Sequence, residues 1–98
     1  MTVTKNENGN SVTLCVEGRL DTMTSPDLEK EILALADSVN DLTIDFIKLD
    51  YISSAGLRVL LSAHKSFAKK GGMTITNVNE TVLDIFEVTG FKDILTIK

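Results

Sequence analysis

The sequence predicts one α/β domain over residues 1–98, with a mixed sheet of four to five strands, an N-terminal hairpin and three or more helices. Apolar residues alternate with polar ones in several short segments, as in β-strands. In other segments they recur every three or four residues, as in amphipathic helices. The two kinds of segment follow one another in the order β-β-α-β-α-β-α, which favours parallel strands joined by right-handed crossovers beside the opening antiparallel pair.

The composition limits the kinds of partner and the location. Ninety-eight residues with 43% hydrophobic content can bury one core. Ten basic and fourteen acidic residues give a net charge of −4, which argues against nucleic acid or an anionic membrane as partner. Cys15 is the only cysteine, there is no signal-peptide pattern, and no apolar run approaches the ~20 residues that span a bilayer. We therefore expect a cytoplasmic protein without a disulfide.

The chain is expected to open as a β-hairpin. Strands are predicted over residues 2–6 and 11–17, and the Asn-Gly pair in "ENGN" between them is a strong turn signal. Val12, Leu14 and Val16 lie on one face of the second strand. That face should enter the core.

The later elements follow from capping signals and apolar spacing. Ser25 and Pro26 predict the N-cap and first position of a helix whose apolar stripe extends to Val39. "DLTIDFI" predicts a strand, residues 55–70 a second helix, and "MTITNV" a further strand. Asn79 is expected to cap a short third helix, and "DILTI" forms either an edge strand or an extended tail.

Two loops are candidates for function because functional groups in α/β sheets gather beyond the carboxyl ends of strands. "GRLDTMT" follows the second predicted strand, and "KLDYISSAG" follows the third. We expect both loops at the same rim of the sheet.

Ser53 and Ser54 in the second loop admit three interpretations. Capping of the following helix is the commonest role of such a serine. A catalytic nucleophile would need a base, and the only histidine, His64, lies about 15 Å along the helix, which excludes a Ser-His pair. His64 itself is expected to be a half-buried helix residue with a hydrogen bond. No cofactor or metal motif accompanies it.

The third interpretation is a phosphorylation switch. A hydroxyl at a helix N-terminus is exposed and lies near partial positive charge, which tolerates a phosphate. Gly56 has two explanations in this context. It either lets another protein approach the hydroxyl closely, or lets the helix pack tightly against a strand.

"LTIDFIKLDYISSAGLRVLL" resembles the signature of STAS domains, and the chain is most similar to the stand-alone bacterial anti-sigma factor antagonists of that family. "EGRLDTMTSPDLE" resembles the Gly-x-Leu-Asp loop and first helix of the family, and the C-terminal half is also similar. The resemblance implies a STAS-like fold over 1–98. The family's usual Asp before the acceptor serine is Ser53 here, and its usual Ser or Thr after the acceptor is Ala55.

The resemblance implies a partner-switching regulator with no catalysis of its own. Ser54 would be the phosphoacceptor and Ser53 its rival. The partners would be an anti-sigma factor serine kinase and a PP2C-like serine phosphatase. Asp21 matches the family's loop aspartate and Asp45 its carboxylate or amide at the end of the third strand, and both should make the rim negative. The residues that we expect to contact a partner are these two and the neighbours of the acceptor: Asp21, Asp45, Tyr51, Ser53, Ala55, Gly56 and Arg58.

Several of these residues have alternative explanations. Tyr51 could equally pack within its loop. Arg58, Lys65 and Lys69 fall on one side of the second helix, where a solvated face and docking on an acidic partner are the two possibilities. For the whole chain, the alternative function is a STAS scaffold that is not phosphorylated, or a module that senses a small ligand in a signalling complex.

Overall fold

The computed structural model describes all 98 residues, and it confirms the α/β class with a mixed sheet. The sheet has six strands, rather than four to five, and three α-helices accompany it. The elements in chain order are β1 (Thr2–Asn8), β2 (Ser11–Leu20), α1 (Ser25–Leu35), β3 (Asp41–Asp45), β4 (Leu49–Ile52), α2 (Ser54–Ala68), β5 (Gly72–Thr76), α3 (Glu80–Thr89) and β6 (Thr96–Ile97).

The predicted hairpin is present, and β1 pairs antiparallel with β2 across a turn that contains Gly9 at φ 64°. The other strand pairs are parallel, and the order across the sheet is β1-β2-β3-β5-β6. Because β2, β3 and β5 run in the same direction, the loops that follow them leave toward the same end of the sheet.

One core holds the domain together. Alternating residues of the strands meet the apolar stripes of the helices, and Leu14, Ile44, Leu60, Phe67 and Phe86 are fully buried there. The residues on the other face of β2, β3 and β5 are mostly polar, and they are half-buried except for Glu17 and Arg19, which are exposed. This two-sided pattern gives the strict alternation from which the strands were predicted.

Strand β4 was predicted as a loop. The β2–β3 pairing ends at Cys15 and Asp45. Strand β4 pairs in parallel with the later part of β2, from Gly18 to Leu20. A bulge separates Gly18 from Arg19 in this stretch, and Gly18 has a φ of 100°. Leu49 and Ile52 are buried, whereas Asp50 is exposed. Four residues are too few for an alternation of apolar and polar side chains to indicate a strand. The strand becomes evident only when its partner, the later part of β2, is known.

Helix α1 starts one residue earlier and ends earlier than its apolar pattern predicts. Thr24, rather than Ser25, is at the N-cap position, and the last helical residue is Leu35. Val39 is buried although it lies beyond the helix. The ammonium group of Lys70 donates hydrogen bonds to the carbonyls of Ala36 and Val39, so the carbonyls at this helix end are satisfied by a residue from another element.

Candidate functional site

Ser53 and Ser54 form the junction between β4 and α2. Ser53 is at the N-cap position with extended backbone, and Ser54 is the first residue of the helix. The hydroxyl of Ser53 is buried without a hydrogen-bond partner, and it makes no capping bond to the helix. Ser54 is exposed. The two adjacent serines therefore differ sharply in their access to solvent.

The backbone holds this junction against the end of β2. The N–H of Ser53 donates to the carbonyl of Leu20 at 2.9 Å, so the loop that carries the two serines is directly joined to the residue before Asp21. The N–H of Leu57 donates to the carbonyl of Ser53 at 3.0 Å, which closes the first turn of α2. This part of the expected rim is present.

Gly56 is buried, and its missing side chain faces the strands. A Cβ atom there would lie 2.8 Å from Cγ1 of Ile52, 2.8 Å from Cγ of Leu20 and 3.0 Å from the Leu20 carbonyl oxygen. The first two separations are too short for real contacts, and the third is tighter than almost all of them. Of the two explanations offered by the sequence, tight packing is the one that the structure supports. The missing side chain faces Ile52 and Leu20, so this geometry gives no support to the other explanation, close approach of another protein to the hydroxyl.

Asp21 shapes the loop after β2. Its Oδ1 accepts hydrogen bonds from the N–H groups of Met23 and Thr24, at 3.0 and 3.2 Å, and from the Thr24 hydroxyl. Partial burial by itself would raise the pKa of Asp21, but these hydrogen bonds and the nearby Arg19 outweigh it and hold the pKa below the usual 3.8. The side chain is therefore ionised and engaged within its own loop.

The same loop carries an exposed apolar side chain that the sequence analysis did not select. Met23 is 84% exposed, and its N–H is fixed by Asp21. An isolated apolar residue in the polar stretch "DTMT" was the only sequence signal for it. Large exposed apolar side chains are common anchors in protein interfaces.

Arg19 and Tyr51 form a pair across the β2–β4 ladder. The guanidinium carbon of Arg19 lies 4.5 Å from the centre of the Tyr51 ring, a cation–π arrangement, and Nε of Arg19 is 3.8 Å from Oδ2 of Asp21. Tyr51 is half-buried. The Tyr51 ring therefore packs against Arg19, as one of its two expected roles requires. Because the residue is only half-buried, part of it stays accessible. Arg19 was also not selected from the sequence.

Asp45 is not joined to Asp21. It is opposite Cys15 on β2, five residues before Leu20, which corresponds to about 16 Å of strand. Its Oδ1 accepts from the N–H of Ile47 and from Nδ2 of Asn77, both at 3.0 Å. Strand β4 carries the chain farther along β2 before the serines, so Asp45 ends β3 while Asp21 follows the end of β2. The contact of Asp45 with a partner stays a prediction.

Ala55 and Arg58 complete the predicted set. Ala55 is half-buried and Arg58 is exposed. Residues four apart on a helix are neighbours on its surface, so Arg58 lies on the same side of α2 as Ser54, one turn along.

His64 is half-buried as expected, but its Nδ1 atom has no hydrogen-bond partner. Ten residues of one helix separate it from Ser54, about 15 Å, so the two cannot form a nucleophile and base. The largest cavity, about 290 Å³, is lined by residues before β2, after α1 and after α2, at the opposite end of the sheet. No helix here combines the length and the apolar composition needed to cross a membrane.

Comparison with known proteins gives consistent results. The family described as "STAS domain" matches residues 2–98. The anti-sigma-B factor antagonist of Bacillus subtilis is 32% identical over 92 residues, which are 93% of this chain and 84% of that protein. The resemblance noted in the sequence is thus confirmed by both.

Two solved structures are similar over nearly the whole chain. An anti-sigma factor antagonist from Mycobacterium paratuberculosis has a TM-score of 0.88 at 25% identity, covering 98% of this chain and 83% of its own. The phosphorylated form of SpoIIAA, a Bacillus cell fate determinant, has a TM-score of 0.77 at 16% identity, covering 99% and 91%, and shows the shared fold. The chain belongs to the STAS domain family.

Proposed function

We propose that this chain is an anti-sigma factor antagonist that switches partners through Ser54. With a free hydroxyl it binds an anti-sigma factor that is also an ATP-dependent serine kinase, and the bound sigma factor is released. Phosphorylation of Ser54 ends the complex. The names of the relatives support the antagonist role, and the exposed position of Ser54 at the head of α2 is the observation that carries the choice of acceptor.

The chemistry requires no catalytic group from this chain. The kinase transfers the γ-phosphoryl group of ATP to Oγ of Ser54: the bond to the β-phosphate oxygen breaks, the O–P bond to serine forms, and the hydroxyl proton passes to a base of the kinase. ADP leaves. A PP2C-like phosphatase restores the serine by hydrolysis. The proposal places these steps in the cytoplasm, where ATP is present.

The position of Ser54 suits such a modification. It is the first residue of a 15-residue helix, where the partial positive charge of the helix end stabilises an anion. The phosphate carries about −1.5 to −2 charges at neutral pH. In an interface that had formed around a hydroxyl, it adds bulk, charge and a desolvation cost. The domain does not have to refold for the complex to dissociate.

The direct test is incubation with purified anti-sigma-B factor of Bacillus subtilis, the partner implied by the name of the 32% identical relative, with ATP and Mg²⁺, followed by mass spectrometry. We expect a gain of one phosphoryl group on the peptide that contains Ser54. Ser54→Ala should abolish the gain, and Ser53→Ala should retain it. Transfer to Ser53 in the wild-type chain would show that the buried hydroxyl becomes accessible and that our choice of acceptor is wrong.

A stable complex without any gain in mass would favour the alternative, a scaffold that is not phosphorylated. The same incubation therefore separates the two functions. No cavity adjoins Ser54, so a small-ligand sensor has no comparable support at this site.

A further inference from the structure

The charges of this protein are unevenly distributed. From Ser54 to Lys70 there are four basic residues and no acidic one, which leaves six of the ten basic residues in the rest of the chain against all fourteen acidic residues. Helix α2, with the two lysines that directly follow it, is therefore the basic segment of an acidic protein. A positive surface on such a background favours an acidic counterpart.

Three of these cations form a stripe that begins beside Ser54. Arg58, Lys65 and Lys69 are spaced by seven and four residues, so they share one side of the helix, and all three are exposed. The ion pairs of the structure involve other residues, so none of the three has an acidic partner within the chain. Lys70, in contrast, is used internally, at the end of α1.

We propose that this basic stripe, Arg58, Lys65 and Lys69, docks onto an acidic surface of the anti-sigma factor, and that phosphate on Ser54 acts by cancelling its first charge. The inference rests on the proposed function and names the chemistry of the partner at the same site. Charge complementarity is the argument for this occupant. A nucleic acid or an anionic membrane is a less favourable partner, because the whole protein carries a net charge of −4 and would repel a large polyanion.

The phosphate and Arg58 are suitably placed for this effect. Ser54 and Arg58 occupy positions i and i+4 of α2, where side chains are neighbours, and an anion that precedes a cation by four residues is the favourable order. Phosphate and guanidinium also form strong charge-assisted hydrogen bonds. Arg58 would then face the phosphate of its own chain, and the partner's acidic surface would meet added negative charge.

The docking step is tested with two triple variants of equal net charge. The first replaces the stripe: Arg58→Gln, Lys65→Gln and Lys69→Gln. The control replaces three exposed lysines elsewhere: Lys5→Gln, Lys92→Gln and Lys98→Gln. Association with the Bacillus subtilis anti-sigma-B factor is measured by stopped flow at about 0.05 M and about 0.5 M NaCl.

We expect the stripe variant to associate about tenfold more slowly at low salt and to lose most of its salt dependence, because charges at an interface act mainly on the association rate. The control should stay within about twofold of wild type. Equal losses in both variants would overturn the stripe while leaving the proposed function intact. If the wild-type chain does not bind this partner at all, the proposed function fails, and the docking proposal fails with it.

The effect of the phosphate is tested without any partner. In the full chain carrying phosphoserine at position 54, phosphorus NMR gives the second pKa of the phosphate, ordinarily about 6. Arg58→Gln should raise that pKa relative to the otherwise wild-type chain, and Lys30→Gln should not. Identical pKa values in all three would overturn the pairing. DNA and phosphatidylserine vesicles are tested as alternative partners of the basic stripe. If the stripe variant loses binding to one of them, and the wild-type chain does not bind the anti-sigma factor, the proposal of an acidic protein partner is wrong.

Discussion

Ser53 and Ser54 are adjacent in sequence but lie in opposite environments: the hydroxyl of Ser53 is buried without a hydrogen-bond partner, whereas Ser54 is exposed at the first position of α2. A kinase must bring the accepting oxygen into line with the γ-phosphate of ATP. Only Ser54 offers that access without movement of the loop. The difference in burial underlies the functional predictions.

A permanent negative charge at position 54 should imitate the phosphorylated state. Ser54→Asp is expected to weaken binding to the anti-sigma factor by about a hundredfold, which corresponds to ~2.8 kcal/mol, with the fold unchanged. Ser54→Ala should bind without being released by ATP. Ser38→Asp, an exposed serine before β3, adds the same charge far from the site and is the control. Isothermal titration calorimetry measures all three, and tight binding by Ser54→Asp would contradict charge exclusion.

The two N-cap residues should differ in their contribution to stability. Asn79 accepts a hydrogen bond from the N–H of Val82 at 2.8 Å and donates to the carbonyl of Leu49 at 2.7 Å, whereas the Ser53 side chain makes neither kind of bond. Asn79→Ala should therefore lower the free energy of unfolding by about 1–2 kcal/mol.

Ser53→Ala should change the free energy of unfolding by less than about 0.5 kcal/mol, or raise it, because an unsatisfied buried hydroxyl is removed. Urea denaturation at one pH compares the two alanine variants. Asn79→Asp keeps the cap but loses the donor to Leu49, so an intermediate loss is expected. Equal losses for Ser53→Ala and Asn79→Ala would show that Ser53 caps α2 in solution.

Gly56→Ala tests the close packing of α2 on β2 and β4. A methyl group would collide with Leu20 and Ile52, including the backbone carbonyl of Leu20. We expect a loss of about 1–3 kcal/mol in the free energy of unfolding from overpacking, although alanine has the higher helix propensity by about 1 kcal/mol. Ser66→Ala on the exposed side of α2 gives the propensity effect alone. An increase in stability for Gly56→Ala would refute the packing explanation.

Asp21 should make stability depend on pH in the acid range. Because its pKa in the folded protein is below the usual 3.8, the ionised carboxylate favours the folded state above that value. The contribution is lost as the pH falls through the folded pKa. Wild type should therefore exceed Asp21→Asn in the free energy of unfolding at about pH 5, and the two curves should converge toward about pH 2. Denaturant titrations at each pH provide the comparison, and parallel curves would contradict the role of the turn hydrogen bonds.

Much of the fold could be predicted from local and periodic signals. The Asn-Gly turn places the hairpin, the apolar spacing places the three helices, and alternation places β2, β3 and β5. These signals succeed because each reports an interaction between residues close in sequence or a single buried face. Strand β4 gives no comparable signal, since four residues form a strand there only because the far part of β2 has a free edge.

The candidate site was predicted less completely. The motif "SSAGL" indicated the head of α2, but not which hydroxyl is buried. That difference depends on how α2 docks on β2 and β4, where Gly56 leaves no room for a side chain beside Leu20 and Ile52. The pattern also gives no signal for β4, the strand that separates Asp45 from the serines along the chain.

By itself, then, the sequence determined the α/β class, the order of most elements, the STAS resemblance and the serine pair at the start of a helix, since all of these depend on short-range periodicity or on motifs. Only the tertiary structure decided which serine is exposed, that the serine loop is joined to the end of β2, and that Gly56 packs against Leu20 and Ile52. Those properties depend on strand register and helix docking, which are set by contacts between residues far apart in the chain.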